Sequence, residues 1–129
     1  MDLLDEFAEE PMTAASLKIE TEDRNGIQVL HVSGPLDSIT HDDFQRQVDA
    51  LMTQTPFRLV MDCENITYVN SRGLALLAHY QRSSAKTLSF FGLAGLNPRI
   101  GKAIEMLGMT KLIKVYPTLE EALAVAQAL

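Results

Sequence analysis

The feature that most constrains the fold is a regular alternation of strand-like and helix-like apolar patterns. Short apolar runs typical of buried strands occur at residues 27–32, 58–63, 87–91 and 112–116. After each of them, apolar residues recur at spacings of three and four, which is the period of one helix face. Parallel strands need such crossover connections because a tight hairpin cannot join them. The pattern therefore predicts an α/β fold in which a mainly parallel or mixed sheet of about five strands is flanked by about four helices.

One further strand is expected at the edge of this sheet. Leu17, Ile19 and Thr21 alternate with charged residues, which is typical of a half-buried strand. Asn25-Gly26 follows, and both residues tolerate the positive φ angles of a two-residue hairpin turn. The sheet is therefore expected to begin with a hairpin.

Turn and capping residues predict where the elements begin and end. Breaks are expected at Gly34-Pro35 after the second strand, at Glu64-Asn65 after the third, and at Gly92-Leu93-Ala94-Gly95 before the third helix. Pairs of residues at three helix starts resemble caps: Thr40 with Asp43, Asn97 with Pro98, and Thr118 with Glu121. In the third helix, Ile100, Ala103, Ile104 and Leu107 form an apolar stripe that Gly108 is expected to end.

Charge separates a short extension from one nearly neutral domain. A chain of 129 residues is typical of a single domain, and its net charge is −6. Residues 1–17 contain five acids and no base, so they account for almost all of this charge. We therefore expect residues 1–13 to form an acidic N-terminal extension and residues 14–129 to form the domain.

The extension has two interpretations. Leu3, Leu4 and Phe7 favour a short amphipathic helix that Pro11 would end and that would dock on another surface. A solvated acidic tail is the simpler alternative.

Composition disfavours several classes of partner. The domain has no basic stripe that would neutralise phosphates, so we expect no nucleic acid partner. No apolar run reaches the roughly 18 residues that a membrane span needs, so we expect no membrane partner. The single cysteine, Cys63, is expected to be a small core residue in a reducing, cytoplasmic compartment.

Catalysis is disfavoured as well. Ser71 and His79 are separated by roughly 12 Å along a helix axis, so they cannot pair as nucleophile and base. The three histidines lack the spacing of metal ligands, and no glycine-rich nucleotide loop is present. We therefore expect neither an enzyme nor a bound metal or cofactor.

The segment 68–74 is unusual because two capping residues, Asn70 and Ser71, stand in tandem at a helix start. A serine at such a position is most often a plain N-cap. If Asn70 caps, however, the Ser71 hydroxyl is free, and a phosphate on it would lie near backbone N–H groups and the positive end of the helix dipole. Arg72 would either contact that phosphate or be solvated, and Gly73 is expected to leave the helix mouth open to a partner.

In order along the chain, these residues resemble the STAS domain of bacterial anti-sigma factor antagonists. The resemblance covers about residues 16–129 and rests on three motifs: Gly34-Pro35-Leu36-Asp37, Leu59-Val60-Met61-Asp62 and Asn70-Ser71-Arg72-Gly73-Leu74. It implies a regulator that, when unphosphorylated, binds an anti-sigma factor that is also a serine kinase, and thereby releases a sigma factor or another output protein. Phosphorylation of the matching serine, Ser71, would break the complex, and a PP2C-type phosphatase would restore it. ATP belongs to the kinase, so the resemblance implies no cofactor for this chain.

The resemblance also implies a partner-binding surface around Ser71. Its residues would be Gly34, Pro35, Leu36, Asp37, Val69, Asn70, Arg72, Gly73 and Leu74. Two positions depart from the family pattern, since Asn70 stands where Asp is most common and Arg72 where a small residue is more common.

Two other functions remain open at this stage. A STAS-like subunit of a larger signalling or transport assembly would keep the fold and use Ser71 only as a cap. A small α/β enzyme or nucleotide binder would need a ligand-sized pocket at the carboxyl ends of the strands. The oligomeric state does not follow from the sequence.

Overall fold

A computed structural model describes residues 16–129, and its elements follow in the predicted order. These residues form β1 (Lys18–Arg24), β2 (Ile27–Leu36), α1 (His41–Leu51), β3 (Arg58–Val69), α2 (Ser71–Lys86), β4 (Phe90–Ala94), α3 (Pro98–Met106), β5 (Val115–Tyr116) and α4 (Leu119–Gln127). The predicted α/β fold with five strands and four helices is confirmed. The extension 1–13 and its predicted helix lie outside the described residues.

The sheet is mixed, with the order β1-β2-β3-β4-β5. β1 runs antiparallel to β2, whereas the other neighbouring pairs are parallel. The predicted hairpin turn is present, since Asn25 and Gly26 have φ angles of 54° and 87°. Because β2, β3 and β4 are parallel, their carboxyl ends meet at one edge of the sheet, and the loops that follow them lie there together.

Helices cover both faces of the sheet. Alternate residues of the central strands divide between two cores, as Leu30 and Met61 face one side while Val29 and Val60 face the other. The first core also contains the buried residues of α1, α2 and α3, and the second contains those of α4. Strands buried on both faces explain why their sequences are apolar throughout.

β2 does not end at Gly34-Pro35, as the sequence predicted, but continues to Leu36. Its register against β3 shifts twice, between His31 and Ser33 and between Gly34 and Pro35. Such bulges accommodate a proline within a paired strand. Gly34 has a φ of 101°, and a side chain there would overlap the carbonyl oxygen of Ser16.

β3 also extends beyond its predicted end. Glu64 and Asn65 belong to the strand, which runs to Val69, and do not form a turn. They are exposed at the first register shift, and the Glu64 N–H donates to Asp62 Oδ1 over 3.2 Å. A bulge therefore accommodates a polar pair that the sequence pattern reads as a break.

Other predicted boundaries move because tertiary packing decides them. β4 begins at Phe90 and not at Thr87, since Leu88 has a φ of 58° and is almost fully exposed. Gly92-Leu93-Ala94 is buried strand and not loop, and of these four residues only Gly95, with a φ of 72°, follows the strand. Leu107 lies outside the predicted stripe of α3, at the exposed C-cap.

The caps of α3 and α4 are confirmed. Asn97 and Thr118 accept hydrogen bonds from the backbone N–H groups of Ile100 and Glu121, at 2.9 Å and 3.1 Å. Gly108, with a φ of 70°, follows α3 as predicted.

A charged cluster of partly buried side chains joins the first three strands. His31 on β2 lies between Glu22 on β1 and Asp62 on β3, with Nε2–Oε1 and Nδ1–Oδ2 distances of 2.7 Å and 2.8 Å. Arg24 bonds the same Glu22 at 2.7 Å and approaches Glu120 of α4 at 3.9 Å. The Glu22 carboxylate, followed by that of Asp62, raises the pKa of His31 above its usual 6.5. Arg24 and then His31 lower the pKa of Glu22 below its usual 4.5.

This cluster predicts how stability depends on pH. The contribution of His31 is complete below the pKa of the unfolded state, 6.5, and is lost as pH rises through the higher folded pKa. The contribution of Glu22 is present above 4.5 and is lost as pH falls through its lower folded pKa. The free energy of unfolding, measured by urea titration, should therefore decrease from about pH 6 to about pH 8, and this decrease should be smaller in His31→Gln. If the free energy of unfolding fell equally with pH in the wild type and in His31→Gln, the pH dependence would not arise from His31.

Candidate functional site

The expected partner surface comes together at the carboxyl edge of the sheet. Leu36, the last residue of β2, pairs with Val69, the last residue of β3. The Asn70 N–H then donates to the Leu36 carbonyl oxygen over 3.1 Å, and the Asn70 side-chain amide lies 3.4 Å from Ser38 Oγ. The motifs at 34–37 and 70–74, which are more than 30 residues apart in sequence, are therefore neighbours in the fold.

The tandem capping residues divide their tasks. Asn70 is the N-cap of α2, with extended backbone, and its Oδ1 accepts the Gly73 N–H at 2.8 Å. Its carbonyl oxygen accepts the Leu74 N–H at 3.0 Å. Ser71 is the first residue of the helix and is exposed. The prediction that one residue caps while the other is free to face solvent is confirmed.

The neighbouring loop between β2 and α1 is organised by Asp37. Its Oδ1 accepts the N–H groups of Ile39 and Thr40 at 2.9 Å and 3.1 Å, and its carbonyl accepts the His41 N–H. The predicted capping by Thr40 is wrong, because its hydroxyl is turned back to donate to the Pro35 carbonyl oxygen at 2.8 Å. This hydrogen bond ties the loop to the end of β2.

The prediction that Gly73 leaves the helix mouth open is also wrong. A Cβ at this position would lie 2.9 Å from Val69 Cγ1 and 3.0 Å from Leu36 Cγ, so the space is filled from within the domain. Leu36 and Leu74 are buried as well. These residues hold the start of α2 against the strand ends. The solvent-facing part of the surface is formed by Gly34, Pro35, Asp37, Val69, Asn70, Ser71 and Arg72, which are exposed or half-buried.

The charges around Ser71 are few and solvated. Arg72 Nη2 lies 3.9 Å from Asp42 Oδ1, and the two side chains are 59% and 81% exposed. An ion pair of this kind contributes little to stability. Arg72 is therefore available to a ligand or a partner group.

Two exposed apolar residues beside the site were not included in the predicted partner surface. Ile39 is 72% exposed and follows Ser38, whose hydroxyl contacts Asn70. Tyr68, which is 54% exposed, comes three residues before Ser71. The sequence did contain a signal for Ile39. It is an apolar residue in a polar loop, and it fits neither the helix period nor the strand period of the neighbouring elements.

Other features of the described residues bear on chemistry. Cys63 is fully buried, and burial raises the pKa of its thiol, so the predicted core role is confirmed. In the part of the chain that the structure describes, no group of three or more His, Cys, Asp or Glu residues is arranged to hold a metal ion. No helix between residues 16 and 129 is long and apolar enough to cross a membrane. Two surface clefts, one lined by Asp49 and His79 and the other by Gly26 and Arg58, lie near the amino end of β3, remote from Ser71.

Replacing glycine by alanine should change the stability of the protein in opposite directions at Gly73 and Gly101. Gly73→Ala should destabilise the protein by about 1–3 kcal/mol, because the new methyl group overlaps Val69 and Leu36. Gly101→Ala is the matched control, because it lies in α3 with nothing within 4 Å of the added Cβ and should stabilise by roughly 0.5–1 kcal/mol. Chemical denaturation measures both, and stabilisation by Gly73→Ala would contradict the packing argument.

Comparison with known proteins adds independent findings. A family model described as STAS domain matches residues 18–122, which include every strand and the first turn of α4. The anti-sigma-F factor antagonist RsfB of Mycobacterium tuberculosis is 26% identical over 108 residues, covering 84% of this chain and 88% of RsfB.

Solved structures agree with this match. The crystal structure of an anti-sigma factor antagonist from Mycobacterium paratuberculosis has a TM-score of 0.78 at 29% identity, covering 87% of this chain and 95% of that one. SpoIIAA of Bacillus shares the fold at 17% identity, with TM-scores of 0.70 for its unphosphorylated form and 0.63 for its phosphorylated form. Coverage is 87% of this chain and 98% of the unphosphorylated SpoIIAA, and 83% and 97% for the phosphorylated form.

Proposed function

The chain belongs to the STAS-domain family, and we propose that it is an anti-sigma factor antagonist whose binding is controlled by phosphorylation of Ser71. In its unphosphorylated form it binds an anti-sigma factor that is also a serine kinase, and so releases a sigma factor or another output protein. A PP2C-type phosphatase returns the phosphorylated chain to this form. The relatives that carry the name anti-sigma factor antagonist support the binding role.

The observation that carries the proposal is that Ser71 is an exposed residue at the first position of α2. Asn70 already supplies the cap, so modification of Ser71 leaves the hydrogen bond to Gly73 in place. A phosphate at this position lies at the positive end of the helix dipole and near backbone N–H groups of the first turn. The helix therefore tolerates the modification, and its effect falls on the partner.

The modification is an ordinary phosphoryl transfer with ATP held by the partner kinase. Ser71 Oγ forms a bond to the γ-phosphorus, the bond from that phosphorus to the bridging oxygen breaks, and ADP leaves. The hydroxyl proton passes to a base of the kinase. Hydrolysis of the phosphoserine by the phosphatase returns the hydroxyl and inorganic phosphate.

Phosphate would displace the partner by charge and desolvation. The group adds about −1.5 to −2 charges to a surface that already carries Asp37 and Asp42. A partner that packs against Ser71 would have to bury this charge, which is strongly unfavourable without compensating cations. Arg72 is the nearby cation of this chain, and it is on the same helix turn.

The partner would pack on apolar residues beside the serine. Ile39 follows Ser38, which contacts Asn70, and Tyr68 pairs with Pro35 near the end of β3. Both offer exposed apolar area, and aromatic and aliphatic anchors of this kind carry most of the energy in small interfaces. Gly34, Pro35 and Asp37 would form the rim on the side of β2.

Substitution of Ser71 tests the switch. Ser71→Glu should weaken binding of the cognate anti-sigma factor kinase at least about tenfold, whereas Ser71→Ala should bind it and resist modification. Ala85→Glu adds the same charge to an exposed position at the far end of α2 and should bind normally. Calorimetry measures the affinities, and mass spectrometry after incubation with kinase and ATP locates the phosphate.

Two results would contradict this proposal. If Ser71→Ala incorporated as much phosphate as the wild type, Ser71 would not be the phosphorylation site. Normal binding by Ser71→Glu would remove the switch and favour a constitutive subunit of a larger assembly.

The apolar anchors generate a separate prediction. Ile39→Asp should weaken partner binding by more than about 1 kcal/mol, because it places a charge where the partner buries an apolar side chain. Leu88→Asp makes the same replacement at an almost fully exposed leucine after the far end of α2 and should leave affinity unchanged. Equal affinities of the two variants would place the interface elsewhere.

A further inference from the structure

A second surface, distinct from the Ser71 site, combines exposed apolar side chains with positive charge. It comprises α3, the turn that follows it and the first residue of β5, that is, residues 98–115, and we call it the α3–β5 face. Met106 and Leu107 are 76% and 59% exposed, and Leu112 and Val115 are 44% and 40% exposed. Backbone hydrogen bonds from Leu112 and Ile113 to Met109 close the turn, so these residues belong to one compact region.

The charge of this face is opposite to that of most of the chain. Residues 98–115 contain four of the 11 basic residues, Arg99, Lys102, Lys111 and Lys114, and a single acid, Glu105. All four basic side chains belong to exposed residues. An apolar surface rimmed with cations selects a ligand that is both apolar and acidic.

The first 13 residues of the same chain have this composition. They carry five acids without a base, and Leu3, Leu4 and Phe7 are spaced for one face of an amphipathic segment. The acids of this segment therefore complement the basic residues of the α3–β5 face, and its apolar residues complement the exposed apolar side chains of that face.

The length of the intervening chain permits an intramolecular contact. β1 and β5 are the two edges of the sheet, about 19 Å apart across four strand spacings of about 4.8 Å. The nine residues of α3 place Met106 a further ~13 Å away along the strand direction, so the straight-line separation from Ser16 is about 23 Å. Phe7 precedes Ser16 by nine residues, which span up to about 30 Å when extended. Because the extension is tethered, its effective concentration at the α3–β5 face is in the millimolar range. A weak interaction is therefore enough to keep it bound within one molecule.

We infer that residues 1–13 bind the α3–β5 face of their own molecule, with Leu3, Leu4 and Phe7 on its apolar side chains and the acids beside its lysines. The residues of the α3–β5 face are separate from Ser71, although the extension leaves the domain at Ser16, beside Gly34 of the surface around Ser71. It gives the acidic extension a defined binding site on the domain.

Paramagnetic relaxation in the full-length chain tests the contact. Ala8→Cys places one reactive thiol in the extension, because the native Cys63 is fully buried and escapes labelling. A nitroxide attached there should remove most of the amide signal intensity from residues 98–115. Lys111→Glu should restore at least half of the lost intensity, whereas Arg46→Glu, an equal charge change on α1, should restore none.

A mixed sample distinguishes contact within one molecule from contact between molecules. Spin-labelled chain without nitrogen-15 is combined with unlabelled nitrogen-15 chain. Unchanged signals in the mixed sample support the intramolecular contact. Loss of signal at residues 98–115 in that sample would overturn it in favour of a second copy. Absence of signal loss in the singly labelled chain, or loss that Lys111→Glu does not reverse, would also overturn it.

Discussion

The candidate site depends on the close approach of α2 to the paired ends of β2 and β3. Leu36 and Val69 end these strands side by side, and Gly73 lies against both without a side chain. A Cβ at this position would be about 3 Å from each of them, so any larger residue must displace the helix start or the strand ends. This one close contact places the helix N-terminus, the β2–α1 loop and Ser71 on a common surface.

Support of the helix and presentation of the hydroxyl are assigned to different residues. Asn70 takes the cap, and Ser71 is left with an exposed side chain on a position that is already helical. In a serine that capped the helix, the capping oxygen itself would be esterified on modification, so the switch and the cap would not be separate. Under the proposed switch, a charge at Ser71 would leave the cap made by Asn70 in place and would act on what the surface binds.

The charged groups of the domain are distributed over separate regions. His31 and its two carboxylates link β1, β2 and β3 through side chains on one side of the sheet. The lysines of the α3–β5 face lie at the opposite edge, and Ser71 lies at the carboxyl ends of the strands. A nearly neutral domain can therefore present regions of opposite sign, which the net charge of the whole chain does not reveal.

The amino-acid sequence by itself determined the order of elements, the hairpin, and the caps at Asn97 and Thr118, because these depend on local periodicity and on contacts within a few residues. Only the tertiary structure decided that β2 and β3 run on to Leu36 and Val69, since bulges between paired strands absorb residues that read locally as breaks. It also decided why position 73 is glycine and which residues face solvent. Those properties arise from neighbours more than 30 residues away in sequence, and no local pattern encodes such distances.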